Sequence, residues 1–330
     1  MKEKIIILLM MTVLLLSACK QTHNSGAGGL SLEVPFEGLE LLEGDHPELD
    51  FGLSLHDGQR TIRDFAITGE GNLLLLQLSE KVYEYSPEGE LLETYDFKFA
   101  QEGLTAYMLT CDDMGNFYFL DGHNCLFIKA NRRGLLGVAT LGKKSIVAEP
   151  ALIKRISALR EDILLVEALS VEDYISYTYQ LDVSGEEALS IKEAQVGVGL
   201  GEGLSYQNEL ITKNEYGGLT DGTKVTIYEN GLERDKIQVH TGNTFLVGLN
   251  IYGLVDKDSY FAKISEFLED GDSFRERFIV FNKEGKIISS WDAQLKEDDI
   301  IRVHQDRAYI LRFNDGGIIV LPMDQLARTN

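Results

Sequence analysis

Ile62-Arg63-Asp64-Phe65-Ala66-Ile67, Gly69-Glu70-Gly71-Asn72, Leu73-Leu74-Leu75-Leu76-Gln77-Leu78, Lys81-Val82-Tyr83-Glu84-Tyr85-Ser86, Pro87-Glu88-Gly89-Glu90 and Leu91-Leu92-Glu93-Thr94-Tyr95-Asp96-Phe97 follow one another almost without interruption. Four strand-length runs are separated by two clusters of glycine, proline and asparagine and by one short polar gap. That spacing predicts short antiparallel strands in a meander. Leu73–Leu78 is apolar at consecutive positions, as expected of a strand covered on both faces. Lys81–Ser86 alternates, so one face meets a core and the other is more polar.

The same order returns along the chain. Ala106–Thr110, the turn Asp112–Asn116, Phe117–Asp121, Cys125–Lys129 and Gly137–Leu141 make a second copy. The third spans about Arg155 to Lys192. A fourth, poorer one holds Glu209–Thr212, Lys224–Glu229 and Asn230-Gly231. The fifth runs from Tyr260–Ile264 through an acidic insert, Glu266–Ser273, to Arg277–Asn282 and Ile287–Trp291. The last, Ile300 to Met323, stops one strand short. Helical periodicity is nearly absent after residue 30. A four-strand sheet cannot bury both faces alone but can when packed radially against its neighbours. The six copies predict an all-β fold, a six-bladed β-propeller.

Pro87-Glu88-Gly89-Glu90-Leu91-Leu92, echoed by Asn282-Lys283-Glu284-Gly285-Lys286-Ile287-Ile288, resembles the turn between third and fourth strands in six-bladed propellers of the NHL-like kind. Gly71-Asn72 and Gly115-Asn116, each before a second strand, are similar to that family too. The resemblance covers roughly residues 60 to 325. It implies that an N-terminal strand completes the last blade, with Leu30–Val34 or Leu39–Leu42 available to do so. Because this kind of fold includes calcium-dependent lactonases, it also implies one alternative activity, a lactonase-like hydrolase with metal held at the channel.

The meander separates Cys111, at the end of a first strand, from Cys125, at the start of a third. These strands run the same way two places apart, so the sulfurs lie well beyond the roughly 7 Å Cα separation a disulfide tolerates. Free thiols are expected, with Cys125 as a small buried apolar group.

The chain opens on Met1-Lys2-Glu3-Lys4 and an apolar run from Ile5 to Leu16, ending in Ser17-Ala18-Cys19. The run is shorter than the roughly 20 residues that span a bilayer. It has the layout of a secretory signal peptide. Leu16-Ser17-Ala18-Cys19 resembles the lipobox of bacterial lipoproteins, which implies lipidation at Cys19 and cleavage before it. The domain plan is then a signal peptide over 1–18, a flexible Gly-rich tether over 19–29 and the propeller over 30–330. The expected location is the cell membrane, lipid-anchored, on its extracytoplasmic face.

Lys and Arg number 31 against 53 Asp and Glu, a net charge of −22. Nucleic acid is a poor partner for such a surface, since phosphate binding needs clustered cations. The acidity favours solubility. No nucleophile elbow or phosphate loop is present. The Gly-rich Gly197–Gly203 stretch reads as a loop, and Asp256–Asp258 and Asp270–Asp272 as solvated turns. The histidines form no metal-binding pair. No catalytic residue and no cofactor follow from the residues themselves, calcium being the one candidate the resemblance brings.

The expected role is therefore a binding module for an envelope protein or glycan, with a structural subunit of an envelope complex as the further alternative. Candidate binding residues are His304, Arg302, Asp64 and Asp112 near the inner strands. The aromatic candidates are Tyr216, Tyr252 and Phe267, expected to be exposed. The loops Lys143–Ala151, Gly197–Gly203 and Glu266–Ser273 are expected to contribute.

Overall fold

The computed structural model describes residues 36–53, 59–78, 80–122, 125–142, 152–170, 176–191, 195–201, 204–211, 222–229, 232–242, 245–268, 273–292, 294–296, 298–304 and 307–328. The signal peptide, Cys19, the tether, the Leu30–Val34 strand, Tyr216, His123, the 143–151 loop and Asp270–Asp272 lie outside the described residues.

In chain order, β1 (Leu39–Leu42) is followed by six sheets, each an antiparallel meander. The first blade is β2 (Ile62–Ile67), β3 (Leu73–Gln77), β4 (Lys81–Tyr85) and β5 (Leu91–Asp96). The second is β6 (Met108–Cys111), β7 (Phe117–Asp121), β8 (Leu126–Asn131) and β9 (Gly134–Thr140). The third is β10 (Ile153–Arg160), β11 (Ile163–Leu169) and β12 (Ser176–Asp182), with its fourth strand split into β13 (Leu189–Ser190) and β14 (Gln195–Val196). The fourth is β15 (Val198–Gly201), β16 (Leu204–Leu210), β17 (Gly222–Glu229) and β18 (Leu232–His240). The fifth is β19 (Phe245–Asp256), β20 (Ser259–Phe267), β21 (Phe274–Asn282) and β22 (Ile287–Asp292). The sixth is β23 (Ile300–His304), β24 (Arg307–Asn314) and β25 (Gly317–Pro322), completed by β1 on the outside. The protein is a six-bladed β-propeller, and these strands fall in one compact unit, Pro35–Asn330.

Of the two segments that could close the ring, Leu39–Leu42 is the one seen to do so, pairing Leu39 with Val320 through to Leu42 with Gly317. The residues after β1 reinforce it. Phe36, Leu41, Leu49 and Phe51 join one buried cluster with Phe65, Leu75 and Tyr85 of the first blade and with Tyr309, Leu311 and Phe313 of the sixth. Burying a large apolar side chain stabilises by roughly 1.5–3 kcal/mol, so this arm is a substantial part of what holds the seam.

Gly197–Gly203 is not a loop: Val198–Gly201 is β15, the inner strand of the fourth blade. Only Gly197 separates it from β14. At Gly197 the backbone has φ +118°, and a Cβ there would overlap the Tyr206 carbonyl. The strand was hidden because a sequence made of Gly and Val without flanking turns carries the composition of a loop. Glu266 and Phe267, expected in an insert, are instead the end of β20. The two cysteines are free; Cys125 is only partly buried and takes a positive φ of 56° just before β8.

An antiparallel meander fixes two ends of the ring. The turns joining first to second and third to fourth strands lie at one end. The links between second and third strands, and from each blade to the next, lie at the other. Inner strand β23 approaches both β10 and β15 as well as β2, so the axis is narrowed on that side.

Candidate binding cleft at the closing seam

Asp64 and Arg302, both expected near the inner strands, meet there. The Arg302 Nε donates to Asp64 Oδ1 at 2.7 Å, linking β23 to β2 across the seam that β1 closes. Asp64 Oδ2 accepts the Leu109 N–H at 2.8 Å, and Oδ1 the Phe65 N–H. One carboxylate thus joins the inner strands of blades six, one and two. Burial pushes the Asp64 carboxyl upward; the guanidinium and the two amides counter it by stabilising the charged form. Asp64 is fully buried, so it orders the ring and is closed to a ligand.

Above this pair, at the end of the ring that carries the blade-to-blade links, lies a cleft of about 790 Å³. Its walls are the starts of β2 and β23 (Ile62, Arg63 and Ile300), the links before them (Leu53, Gln59, Arg60, Asp298 and Asp299) and Phe313 of β24. Arg60 is held by Asp298, with Nε and Nη2 at 2.8 and 2.7 Å, and stacks over the Phe313 ring at 4.4 Å. Asp299 is held by Arg312 at 3.0 and 2.7 Å. Charged groups of both signs therefore rim an apolar floor, and half-exposed Arg60 and Asp298 offer both a donor and an acceptor to an incoming molecule.

The other predicted residues do not gather at this cleft. Asp112 organises its own turn. Oδ1 accepts the Met114 and Asn116 N–H groups at 2.9 and 2.8 Å, and Oδ2 accepts Asn116 Nδ2 and the Tyr118 hydroxyl at 2.8 and 2.9 Å. At Gly71-Asn72, the matching turn of the first blade, Thr68 takes the place of the aspartate, its Oγ1 accepting the Asn72 N–H at 3.0 Å. His304 ends β23, and burial pushes its ring down to about 4, so it is neutral at pH 7. Tyr252 is not the exposed aromatic expected. Its ring packs between Phe261 and Phe278, with centroids 6.1 and 6.4 Å away, and burial raises its hydroxyl to about 12. It lies on the twelve-residue β19, whose pairing with β20 shifts register three times, so no simple alternation marks which face Tyr252 takes.

Phe267 is exposed and meets Phe274 edge-on, centroids 5.4 Å apart, across the β20–β21 pair. Val247 and Leu210 extend this apolar line onto the fourth blade, because the Asn208 side chain bonds the Leu249 carbonyl and so sets β16 beside β19. The line lies at the same end of the ring as the cleft. Sequence reasoning named only Phe267 of it, and missed Arg60, Asp298 and Phe313 altogether. Those three are brought together by ring closure, from positions up to 253 residues apart in the numbering. Among the described residues, no group of three or more His, Cys, Asp or Glu is placed to hold a metal ion.

No family model matches this chain, and no curated protein does. Among solved structures it is similar to BamB from Moraxella catarrhalis, at 10% identity over 80% of this chain and 83% of that one, with a TM-score of 0.37. It is similar also to virginiamycin B lyase from Staphylococcus aureus, at 11% identity over 87% and 99%, with a TM-score of 0.40. At these values the six-bladed assignment rests on the strand pairing itself.

Proposed function

We propose that this propeller is a recognition module whose ligand docks at the closing-seam end of the ring, and that the module is held outside the cell membrane by a lipid on Cys19. The observation that carries the docking site is the 790 Å³ cleft between blades six and one. Ligand sites favour concave, mostly apolar surfaces with a few placed polar groups. Here Arg60, Asp298 and Gln59 would orient the ligand against Leu53 and Ile300. A protein ligand fits better than a small molecule, because the exposed Phe267–Phe274 pair stands at the same end and aromatic residues anchor protein interfaces. Support for the anchor is the Leu16–Cys19 stretch in the sequence.

The test is a pull-down of residues 25–330 from envelope extract, alongside Leu53→Glu, a change on an exposed wall of the cleft. A stoichiometric partner lost with Leu53→Glu is the expected result. A partner retained by Leu53→Glu overturns the cleft. Cys19→Ala tests the anchor: the protein should leave the membrane fraction, and its retention there overturns lipidation.

A further inference from the structure

The outer edge of the second blade differs from the rest of this acidic molecule. From Gly122 to Ala148 there is no Asp or Glu, but Lys129, Arg132, Arg133, Lys143 and Lys144 are present, in a chain of net charge −22. Among the described outer strands of four residues or more, β9 (Gly-Leu-Leu-Gly-Val-Ala-Thr) alone carries no charged residue; β1, β5, β18 and β22 each carry at least one. Charge along an edge strand is what ordinarily blocks pairing with another chain. Leu135, Leu136 and Val138 are 40, 51 and 39% exposed along it, a row of branched apolar side chains without a cover.

The molecule itself already adds a piece of strand to this edge. The Thr140 N–H donates to the Glu186 carbonyl at 2.8 Å, and the Ala188 N–H donates to the Thr140 carbonyl at 2.8 Å, a parallel bridge from the neighbouring blade. The Leu141 N–H donates back to the Cys125 carbonyl. Thr140 therefore turns its main chain outward, and the alternation of an antiparallel pair turns the Val138 N–H and C=O the same way. Among the described residues no partner meets them. With Thr140 already paired and a bulge at Leu136, the regular open edge is the main chain of Val138, so main-chain pairing is short and side chains must supply the rest of the contact. Lys129 is drawn inward to Asp162 at 2.5 Å, and Arg132 lies 3.5 Å from Glu84. Among the described residues of this stretch, the exposed Arg133, just before the strand, is the cation left to a visitor.

From this geometry we infer that β9 is a strand-addition site for an extended segment of another protein that alternates apolar and acidic residues. Apolar side chains rest on Leu135, Leu136 and Val138, the main chain pairs at Val138, and a carboxylate meets Arg133. This is the edge-addition mode of peptide recognition, in which the backbone supplies affinity and alternate side chains supply selectivity. It is independent of the cleft, which lies at the opposite end of blade one from this blade.

The probe is a fluorescein-labelled decapeptide of alternating valine and aspartate, read by anisotropy against residues 25–330. Binding is expected, at least tenfold weaker when alternate peptide nitrogens are methylated, and lost when lysine replaces aspartate. Val138→Lys and Arg133→Glu should each weaken it at least fivefold, while Leu53→Glu leaves it unchanged. Both substitutions sit on exposed positions, and an unaltered unfolding curve shows the fold is kept. Absence of binding, equal binding of the methylated peptide, or indifference to Val138→Lys overturns the inference. Binding to phosphatidylglycerol vesicles that Val138→Lys abolishes, with none to the peptide, also overturns it and reassigns the strand to lipid.

Discussion

Two seams of the ring solve the same packing problem in opposite ways. Between blades six and one the chain runs through a long arm, from β1, which joins blade six from the far end of the sequence, to β2. Sixteen buried residues form the apolar cluster there. Between blades three and four the chain passes through Gly197 alone, and the five apolar clusters of the described residues leave that seam without one of its own. What crosses it is polar. Arg155, anchored at 2.8 Å on Glu167 of its own blade, donates across to the Gly199 carbonyl, and the Thr178 hydroxyl donates to the carbonyl of the linking Gly197 at 3.1 Å. A covalent link of one residue already holds two sheets together at little entropic cost, so continuity stands in for buried area. Where the link is long and blade six is itself closed by a strand from the far end of the sequence, apolar burial must do that work.

The comparison breaks most readily at its polar core. Arg302→Ala removes the guanidinium that crosses the closing seam and leaves Asp64, 0% exposed, with only two amide donors. An uncompensated buried charge costs about 3–5 kcal/mol, and urea unfolding reads it. Replacing both with leucine should recover most of the loss, since paired removal leaves no stranded charge. If Arg302→Ala costs under about 1 kcal/mol, the arm and its apolar cluster alone close the ring.

The next largest effect falls on the other seam. Gly197→Ala forces a side chain into φ +118°, a region essentially reserved for glycine, and against the Tyr206 carbonyl. A loss of roughly 3 kcal/mol is expected, with blades three and four exchanging their amide hydrogens earlier than the rest. Uniform exchange across the ring would show that this seam has no weakness of its own.

How much of this was legible follows from the kind of constraint involved. Leu73–Leu78 and Phe117–Asp121 announced themselves as second strands, because burial on both faces writes continuous apolar runs. Pro87–Glu90 and Lys283–Lys286 marked third-to-fourth turns, with Gly89 and Gly285 at positive φ as such turns require. Strand β15 was not legible, since its identity depends on Gly199 fitting beside Arg155 and Thr178, residues of another blade. The cleft was legible only in part for the same reason. Asp64 and Arg302 could be placed on inner strands, but the pairing of Arg60 with Asp298, far apart along the chain, needs the closed ring.

A smaller effect tests whether the seams flanking the polar one are alike. Tyr118 and Tyr206 hold equivalent posts on second strands. The Tyr118 hydroxyl accepts the Asp162 N–H at 2.9 Å while donating to Asp112, and the Tyr206 hydroxyl accepts the Ile251 N–H at 3.0 Å. Each sends a hydroxyl to the next blade. Phenylalanine at either position strands a backbone donor, at about 1–2 kcal/mol. Tyr118→Phe should cost more, because Asp112 loses one of its four donors as well. Equal costs by urea unfolding would mean that the Asp112 turn is held by its amides alone.

The smallest effect is conditional on pH and touches the closing seam from within. His304 ends β23, two residues after Arg302, and burial pushes its ring from an ordinary value near 6.5 down to about 4. The folded protein therefore takes up this proton only near pH 4, while the unfolded chain takes it up near 6.5. Between those values the unfolded state binds more protons, so stability falls as pH falls, and above about 6.5 the group contributes nothing. Among the described residues, the groups facing His304 are the Tyr309 ring, 6.4 Å away, and Arg307, its strand partner, whose own charge is held by Asp324 at 3.0 Å. No carboxylate among them meets the imidazolium, so nothing offsets the cost of burying it. His304→Gln should match the parent at pH 7.5 and exceed it by about 1 kcal/mol at about pH 5.8, with the two curves separating below pH 6.5. If they stay parallel down to pH 4, protons enter at His304 without strain, and any loss of stability in acid arises elsewhere in the ring.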